Sequence, residues 1–105
     1  MSKKKEALMD ALFKKLYMET VAVIHSANED SPRTVALLNV DKSWSVEKKL
    51  EKAFMLTNSV DAAWYKSDNL VYMGPDKACR STMVGDMVLI GTKKYKCEDS
   101  GWSEV

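Results

Sequence analysis

The stretch RSTMVGDMVLI, residues 80–90, constrains the fold of this chain most strongly, because it combines a polar turn with an apolar strand. Gly85 can adopt a positive φ without a steric penalty, and the Asp86 carboxylate can accept hydrogen bonds from backbone amides at the start of the strand. Residues 87–90 are all apolar, and this run is too short for a helix. The pattern predicts a sharp turn at Gly85 and Asp86 that leads into a buried strand.

The residues after this strand predict its partner. Gly91 and the three residues behind it can form a turn, and residues 95–97 alternate apolar and polar side chains as a half-buried strand does. We therefore expect an antiparallel β-hairpin over residues 86–97. A second hairpin is predicted upstream, where the β-branched, apolar residues 20–24 and 33–40 flank a cluster of turn-forming residues.

An amphipathic helix is predicted for the N-terminal segment, residues 2–18. Ser2 is a suitable N-cap, and leucines recur at every fourth position from Leu8. The polar positions carry more lysine than carboxylate: Lys3, Lys4, Lys5, Lys14 and Lys15 against Glu6 and Asp10. Such a basic helix can bind nucleic acid, anionic lipid or an acidic protein, although a packing helix with a solvated lysine face is the more common arrangement.

A second amphipathic helix is predicted to begin after the N-cap Ser45, to end at Leu56 or Asn58, and to cover one face of the sheet. Asn58 suits the C-terminus because asparagine tolerates the left-handed conformation. One side of this helix carries Val46, Leu50, Ala53, Phe54 and Thr57, and the expected solvated side carries Lys48, Lys49, Glu51 and Lys52.

The remaining segments complete an α+β domain. Residues 69–73 predict a short strand before a Gly-Pro turn, and the C-terminal residues predict a last strand with Trp102 packed inward. We expect one domain, residues 1–105, in which an N-terminal basic amphipathic helix (1–18) joins an α+β core (20–105). The predicted order is an N-terminal helix, a β-hairpin, an amphipathic helix, and a meander of three to four short antiparallel strands, which a curled sheet would turn into a partial barrel.

Charge and cysteine usage exclude several classes of protein. The net charge is +1, so binding to nucleic acid or to a membrane would need a local patch. The lysines are spread along the chain and arginine is scarce, which supports nucleic acid as a partner only weakly. Cys79 and Cys97 lack a CxxC spacing and no signal peptide is visible, which predicts free thiols in a reducing cytoplasm. No apolar run is long enough to cross a membrane.

Recognised catalytic and cofactor-binding motifs are absent from the sequence. A metal site would have to recruit His25, Cys79 and Cys97 from distant positions, and no pattern brings a cysteine and His25 together as nucleophile and base. A single histidine is more often a surface or capping residue. We therefore expect no cofactor and no metal, and we rank a small enzyme that uses Cys79 or Cys97 below a binding protein.

Two short polar and aromatic groups are the candidate partner-binding residues. Arg80, Ser81 and Thr82 can form a recognition loop for phosphate or carboxylate. The more common arrangement has the two hydroxyls cap the turn while Arg80 pairs with a nearby carboxylate. Trp64 and Tyr65 are adjacent and cannot both face one core, so one of them should pack while the other reaches the surface or another subunit. In the alternative, one of the pair only covers an edge of the core.

The same residues carry a resemblance to a known group of proteins. The order is Thr57-Asn58-Ser59, Asp61, Trp64-Tyr65, residues 80–86 (RSTMVGD) and Gly101-Trp102. It resembles small uncharacterised proteins encoded by bacteriophages, cyanophages among them, and by plasmids, whose pattern is TNS, an aromatic pair, RSTSVGD and GW. The similarity covers the second half of the chain. Met83 stands where that pattern has serine, and Tyr65 where it has a second tryptophan. The resemblance implies a mobile-element origin and no particular chemistry.

The hypothesis that these observations favour is a small cytoplasmic accessory protein that binds a macromolecular partner through the loop around Arg80. The residues assigned to that site are Asn58, Trp64, Tyr65, Arg80, Ser81, Thr82 and Asp86. In this hypothesis Arg80→Ala abolishes binding and leaves the melting temperature nearly unchanged. The alternative is a homo-oligomeric structural protein whose exposed aromatic side chains are subunit contacts.

Overall fold

The computed structural model describes residues 3–59 and 62–105 and confirms the α+β architecture. In chain order the elements are α1 (Lys3–Tyr17), β1 (Met18–His25), β2 (Arg33–Asp41), α2 (Val46–Leu56), a one-turn 3₁₀ helix (Trp64–Lys66), β3 (Val71–Tyr72), β4 (Met87–Ile90), β5 (Lys93–Cys97) and β6 (Trp102–Glu104). The predicted N-cap Ser2 and the resemblance residue Asp61 lie outside the described residues.

The six strands form one antiparallel sheet in the order β3-β2-β1-β4-β5-β6. Both predicted hairpins are confirmed, because β1 pairs with β2 and β4 pairs with β5. The pairing of β1 with β4, in which Val21 lies level with Ile90, joins the two hairpins into a single sheet. The sheet does not close into a barrel, and β3 and β6 are its edges.

The hydrophobic core lies between one face of this sheet and α2. Val21 and Val23 of β1 and Val88 of β4 point to this face, because side chains alternate along a strand. Leu50 and Ala53 of α2 pack against them, and all five side chains are buried. The predicted contact between the second helix and one face of the sheet is therefore confirmed.

The ends of α2 follow from local hydrogen bonds. The Ser45 side chain accepts a hydrogen bond of 3.2 Å from the Lys48 amide, as predicted for an N-cap. The left-handed conformation predicted for Asn58 is wrong, since Asn28 is the one described non-glycine residue with a positive φ. Instead, the Asn58 side-chain amide donates to the carbonyl of Phe54, which satisfies one of the free carbonyls in the last turn.

The helical pattern gives the wrong environment for one residue of α2. Lys49 was predicted to lie in solvent, but its side chain is buried and its ammonium forms an ion pair with Glu19 of β1. The methylene chain of Lys49 extends from the side of α2 to the beginning of β1. Its ammonium group therefore pairs with Glu19 at the edge of the core.

The N-terminal helix α1 is largely separate from this body. Tyr17 is the last residue of α1 and Met18 the first of β1, so no linker separates the two elements. The radius of gyration is 14.8 Å, whereas a compact domain of this length has a value of about 13 Å. The longest dimension of 49 Å agrees with a helix that projects from the sheet. Among the described residues, no helix is both long and apolar enough to cross a bilayer.

Candidate functional site

The fold brings together the two segments that carry the candidate binding residues, residues 57–65 and residues 80–86. Four hydrogen bonds between described residues join them. They are the Thr82 amide to the Thr57 carbonyl at 3.0 Å, the Ser59 amide to Ser81 Oγ at 2.9 Å, Trp64 Nε1 to the Arg80 carbonyl at 3.0 Å, and the contact of 2.7 Å between the Thr57 and Thr82 hydroxyls. The two segments are therefore neighbours in space. Two of these bonds use groups that a partner would otherwise contact, the Ser81 hydroxyl and the Trp64 indole N–H.

Asp86 is the acceptor at the centre of this region. Its side chain is completely buried. Backbone amides of Ser26 and Ala27 each donate to Oδ1 at 2.9 Å, and the Met83 amide donates to Oδ2 at 2.8 Å. The Arg80 guanidinium adds Nη1 to Oδ2 at 2.7 Å and Nη2 to Oδ1 at 2.9 Å. Asp86 thus accepts backbone amides as predicted, but they come from the β1–β2 turn and the preceding loop.

These five donors determine the charge of Asp86. Burial alone would raise the pKa of this carboxyl group, but the hydrogen bonds from Arg80 and from the backbone amides outweigh it and lower the pKa below its usual value. The pKa of Arg80 is raised by the same hydrogen bonds. Asp86 is therefore an ionised carboxylate held in the interior by a bidentate guanidinium.

Arg80 has no unused hydrogen-bond donor at either terminal nitrogen. Besides Asp86, Nη1 donates to the Ser81 carbonyl at 3.1 Å and Nη2 to the Ala27 carbonyl at 2.8 Å, with Glu29 a further 3.4 Å contact. A phosphate or carboxylate on a partner would have to displace Asp86 to gain a bidentate contact. The geometry therefore matches the alternative in which Arg80 pairs with a nearby carboxylate.

A chain of hydrogen bonds runs through the core beside this ion pair. The Thr57 hydroxyl donates to the Ala53 carbonyl at 2.8 Å, and it lies 2.7 Å from Thr82 Oγ1. Because a hydroxyl has a single hydrogen, Thr57 must accept from Thr82 at this second contact. Thr82 Oγ1 in turn lies 3.0 Å from His25 Nε2, and with its own hydrogen committed to Thr57 it must accept from that nitrogen. Donation by Thr57 to the Ala53 carbonyl thus favours the His25 tautomer that is protonated at Nε2.

The other ring nitrogen of His25 faces a thiol. His25 Nδ1 lies 3.6 Å from Cys79 Sγ, and since Nδ1 carries no hydrogen it accepts from the Cys79 S–H group. Burial lowers the pKa of His25 and raises the pKa of Cys79, so the pair is a neutral imidazole and a neutral thiol. Asp86 Oδ2 is 3.8 Å from Nε2, too far for a hydrogen bond.

The expectation of a surface or capping position for His25 is wrong, because the side chain is 1 % exposed. The sequence contained a signal for this. His25 follows Val21 and Val23 at alternate positions in one strand, and this period of two places it on the buried face. The cysteine partner carries no such signal, since 54 residues separate it from the histidine.

Both members of the aromatic pair pack against the same core, contrary to the expectation that only one could face it. Trp64 is buried and its ring lies 6.2 Å from the ring of His25 and 5.6 Å from that of Tyr72. Tyr65 is half-buried and packs edge-on against Trp64 at 6.1 Å. Both residues therefore belong to one aromatic cluster, and Trp64 is a core residue and not a surface anchor.

The most exposed apolar surface lies elsewhere, on α1. Six large apolar side chains of this helix are between 55 % and 65 % exposed: Leu8, Met9, Leu12, Phe13, Leu16 and Tyr17. They recur at intervals of three and four residues, so they form a single stripe along the helix. We call this set the α1 stripe. The leucine periodicity of this helix is typical of a packing helix, whereas the structure leaves the α1 stripe in solvent.

No group of three or more His, Cys, Asp or Glu side chains in the described part of the chain is placed to hold a metal ion. Comparison of the sequence and structure with models of protein families, with curated proteins and with solved structures finds no match.

Proposed function

We propose that this protein is a small homo-oligomeric binding protein and that the α1 stripe is the contact between its subunits. The observation that carries the proposal is the exposure of the six large apolar side chains of α1. Water contact with such side chains is unfavourable, and contiguous apolar patches of this kind mark interaction surfaces. Two aromatic members, Phe13 and Tyr17, are the residue types that most often anchor an interface.

The size of the α1 stripe suits a stable dimer. With about 100 Å² still exposed on each of six large side chains, the stripe offers roughly 600 Å². Two copies together would bury about 1,200 Å², which is the lower end of the range for specific protein interfaces. A monomer that kept this surface in water would expose more apolar area than most monomers do.

The loop around Arg80 is less suited to binding a partner than the α1 stripe. Its strongest donors are already bonded to Asp86, Ala27 and Ser81, so capture of an external anion there would require the loss of internal bonds. Binding of a macromolecular partner by that loop is therefore the second hypothesis. A mobile-element origin remains an expectation from the sequence resemblance, and it is compatible with either one.

The test is the oligomeric state of paired variants over a range of protein concentrations. Leu12→Gln/Phe13→Gln removes the centre of the α1 stripe, and Lys14→Gln/Lys15→Gln introduces the same two residues on the polar side of the same helix. Glutamine has a helix propensity similar to leucine and lysine and higher than phenylalanine, so neither variant weakens the helix through propensity. Sedimentation equilibrium should show a dimer or higher oligomer for the native chain and the lysine variant, and a monomer for the Leu12 variant. A native chain that stays monomeric at millimolar concentration would refute the proposal.

A further inference from the structure

A second apolar surface is covered by no helix or strand among residues 3–59 and 62–105. The face of the sheet that points away from α2 carries a row of apolar side chains across four adjacent strands. In register these are Val71 of β3, Leu37 of β2, Ala22 of β1 and Leu89 of β4. Val71 is 61 % exposed and the other three are partly exposed. Ile24, paired with Met87, widens the row by one position.

We call this set of six side chains the open face. Its borders are polar, with Thr20 and Asn39 hydrogen-bonded to each other at one end and Lys94 level with Leu89 at another. An apolar centre with a polar rim is the composition of an interface and not of a solvated sheet face, which carries mostly polar side chains. Such a face is ordinarily covered by a helix.

The chain's own α1 does not cover the open face. The six side chains of the α1 stripe are each more than half exposed, which excludes close packing against the sheet. Because α1 passes directly into β1, no linker is available to fold the helix back. A groove of about 380 Å³ separates the last turn of α1, at Lys14, from Leu37 and Val71 of the open face.

We propose, on the basis of the proposed homo-oligomer, that α1 of one copy lies across the open face of a second copy, and that the exchange is reciprocal. One chain then supplies two complementary apolar surfaces that it cannot bring together by itself. A reciprocal exchange repeats the same contact twice about a two-fold axis, which closes the assembly as a dimer. Each copy covers the surface that the other leaves in water.

The dimensions of the two surfaces agree. The α1 stripe runs from Leu8 to Tyr17, which is about 14 Å at a rise of about 1.5 Å per residue. The four strands of the open face, spaced about 4.8 Å apart, make a row about 14 Å wide. One α1 stripe therefore spans the open face once, and two stripe-to-face contacts bury more area than a single contact between two α1 helices would. The larger area favours the exchange over helix-to-helix pairing.

The experiment uses the native chain. A sample that mixes ¹³C-labelled and unlabelled protein reports, in an isotope-filtered NOE spectrum, contacts between copies alone. The exchange predicts intermolecular contacts from Leu12 and Leu16 methyl groups to those of Leu37, Leu89 and Val71. Intermolecular contacts restricted to α1 on both sides would overturn the exchange and leave the homo-oligomer intact. A monomeric sample would overturn both.

A pair of variants gives an independent measurement. Leu89→Gln replaces a large apolar side chain of the open face, and Thr20→Gln introduces the same residue at its polar border. The exchange predicts that Leu89→Gln raises the dimer dissociation constant at least about tenfold, since one buried leucine is lost from each of two contacts. Thr20→Gln should leave it within about twofold. Equal constants for the two variants, with both folded by circular dichroism, would contradict the exchange.

Discussion

Removal of the Arg80 guanidinium should destabilise the fold, because this group neutralises a buried carboxylate. In Arg80→Ala, Asp86 would stay completely buried with no cation beside it. The variant also breaks the bond from Nη2 to the Ala27 carbonyl, which links the loop before β4 to the β1–β2 turn. Arg80 therefore stabilises the folded state, whereas the loop-binding hypothesis predicts that Arg80→Ala leaves the melting temperature nearly unchanged.

The loss of unfolding free energy in Arg80→Ala depends on which hydrogen-bond donors Asp86 keeps and which it loses. Removal of one partner of a buried ion pair costs about 3–5 kcal/mol. The Arg80 side chain is 32 % exposed, and Asp86 keeps three backbone donors, so water and these amides compensate in part. We therefore expect a loss at or below the lower limit of this range, about 2–3 kcal/mol. At about 4–8 °C per kcal/mol for a domain of this size, the melting temperature should fall by roughly 10–20 °C.

The assay is urea and thermal unfolding followed by circular dichroism, at one protein concentration for every variant. Arg33→Ala is the matched control, because Arg33 is exposed at the start of β2 and the same atoms are removed. Its free energy of unfolding should change by less than about 0.5 kcal/mol. A double-mutant cycle with Asp86→Ala should show strong coupling to Arg80. If Arg80→Ala and Arg33→Ala unfold at the same temperature, the structural role of Arg80 is wrong.

Three further predictions follow from the same region. Acid should weaken the fold, because burial lowers the pKa of His25. As the pH falls below about 6.5, the unfolded chain takes up a proton at this histidine and the folded chain does not. The free energy of unfolding therefore decreases. Asp86, whose pKa is also lowered, adds a second loss at a pH below about 4. A constant free energy of unfolding from pH 7.5 down to about pH 4 would contradict the His25 assignment, and a constant value as the pH falls further would contradict the Asp86 assignment. The ¹⁵N chemical shifts of the His25 imidazole should show hydrogen at Nε2 and none at Nδ1, and the Nδ1 shift should change in Cys79→Ala. Hydrogen at Nδ1 would refute the direction assigned to the hydrogen bonds from His25 through Thr82 to Thr57. Gly85→Ala should destabilise more than Gly101→Ala, because both have a positive φ (97° and 81°) but a Cβ at Gly85 would meet the Ala27 side chain at 3.0 Å; equal melting temperatures would argue against that contact.

The elements of this fold could be predicted from the sequence where local chemistry decides them. The hairpin over residues 86–97 was specified by Gly85, by the apolar run and by the Gly91 turn, all within a few residues. The start of α2 was specified by Ser45 for the same reason. Both predictions rest on interactions between near neighbours, which a sequence displays directly.

The candidate site was predictable only in part, because its contacts join distant positions. The sequence grouped residues 57–59 with residues 80–86 through a resemblance, and the structure places them side by side. The sequence could not show that Thr57, Thr82 and His25 lie in one chain of hydrogen bonds, because each contact depends on how the strands and α2 pack. The burial of Lys49 was missed for a similar reason: helical periodicity gives the side of a helix but not the reach of a long side chain.

The distribution of polar and apolar groups predicts how this protein associates. The strongest charged donors near the candidate loop are bonded inside the chain, and the surfaces left without partners, the α1 stripe and the open face, are apolar. Association through them is driven by loss of water from apolar area, so it should change little with salt or even strengthen. Binding of a nucleic acid by the lysines of α1 would instead weaken steeply as salt rises. Salt dependence of self-association thus separates the two uses of the same helix, and the structure favours the apolar one.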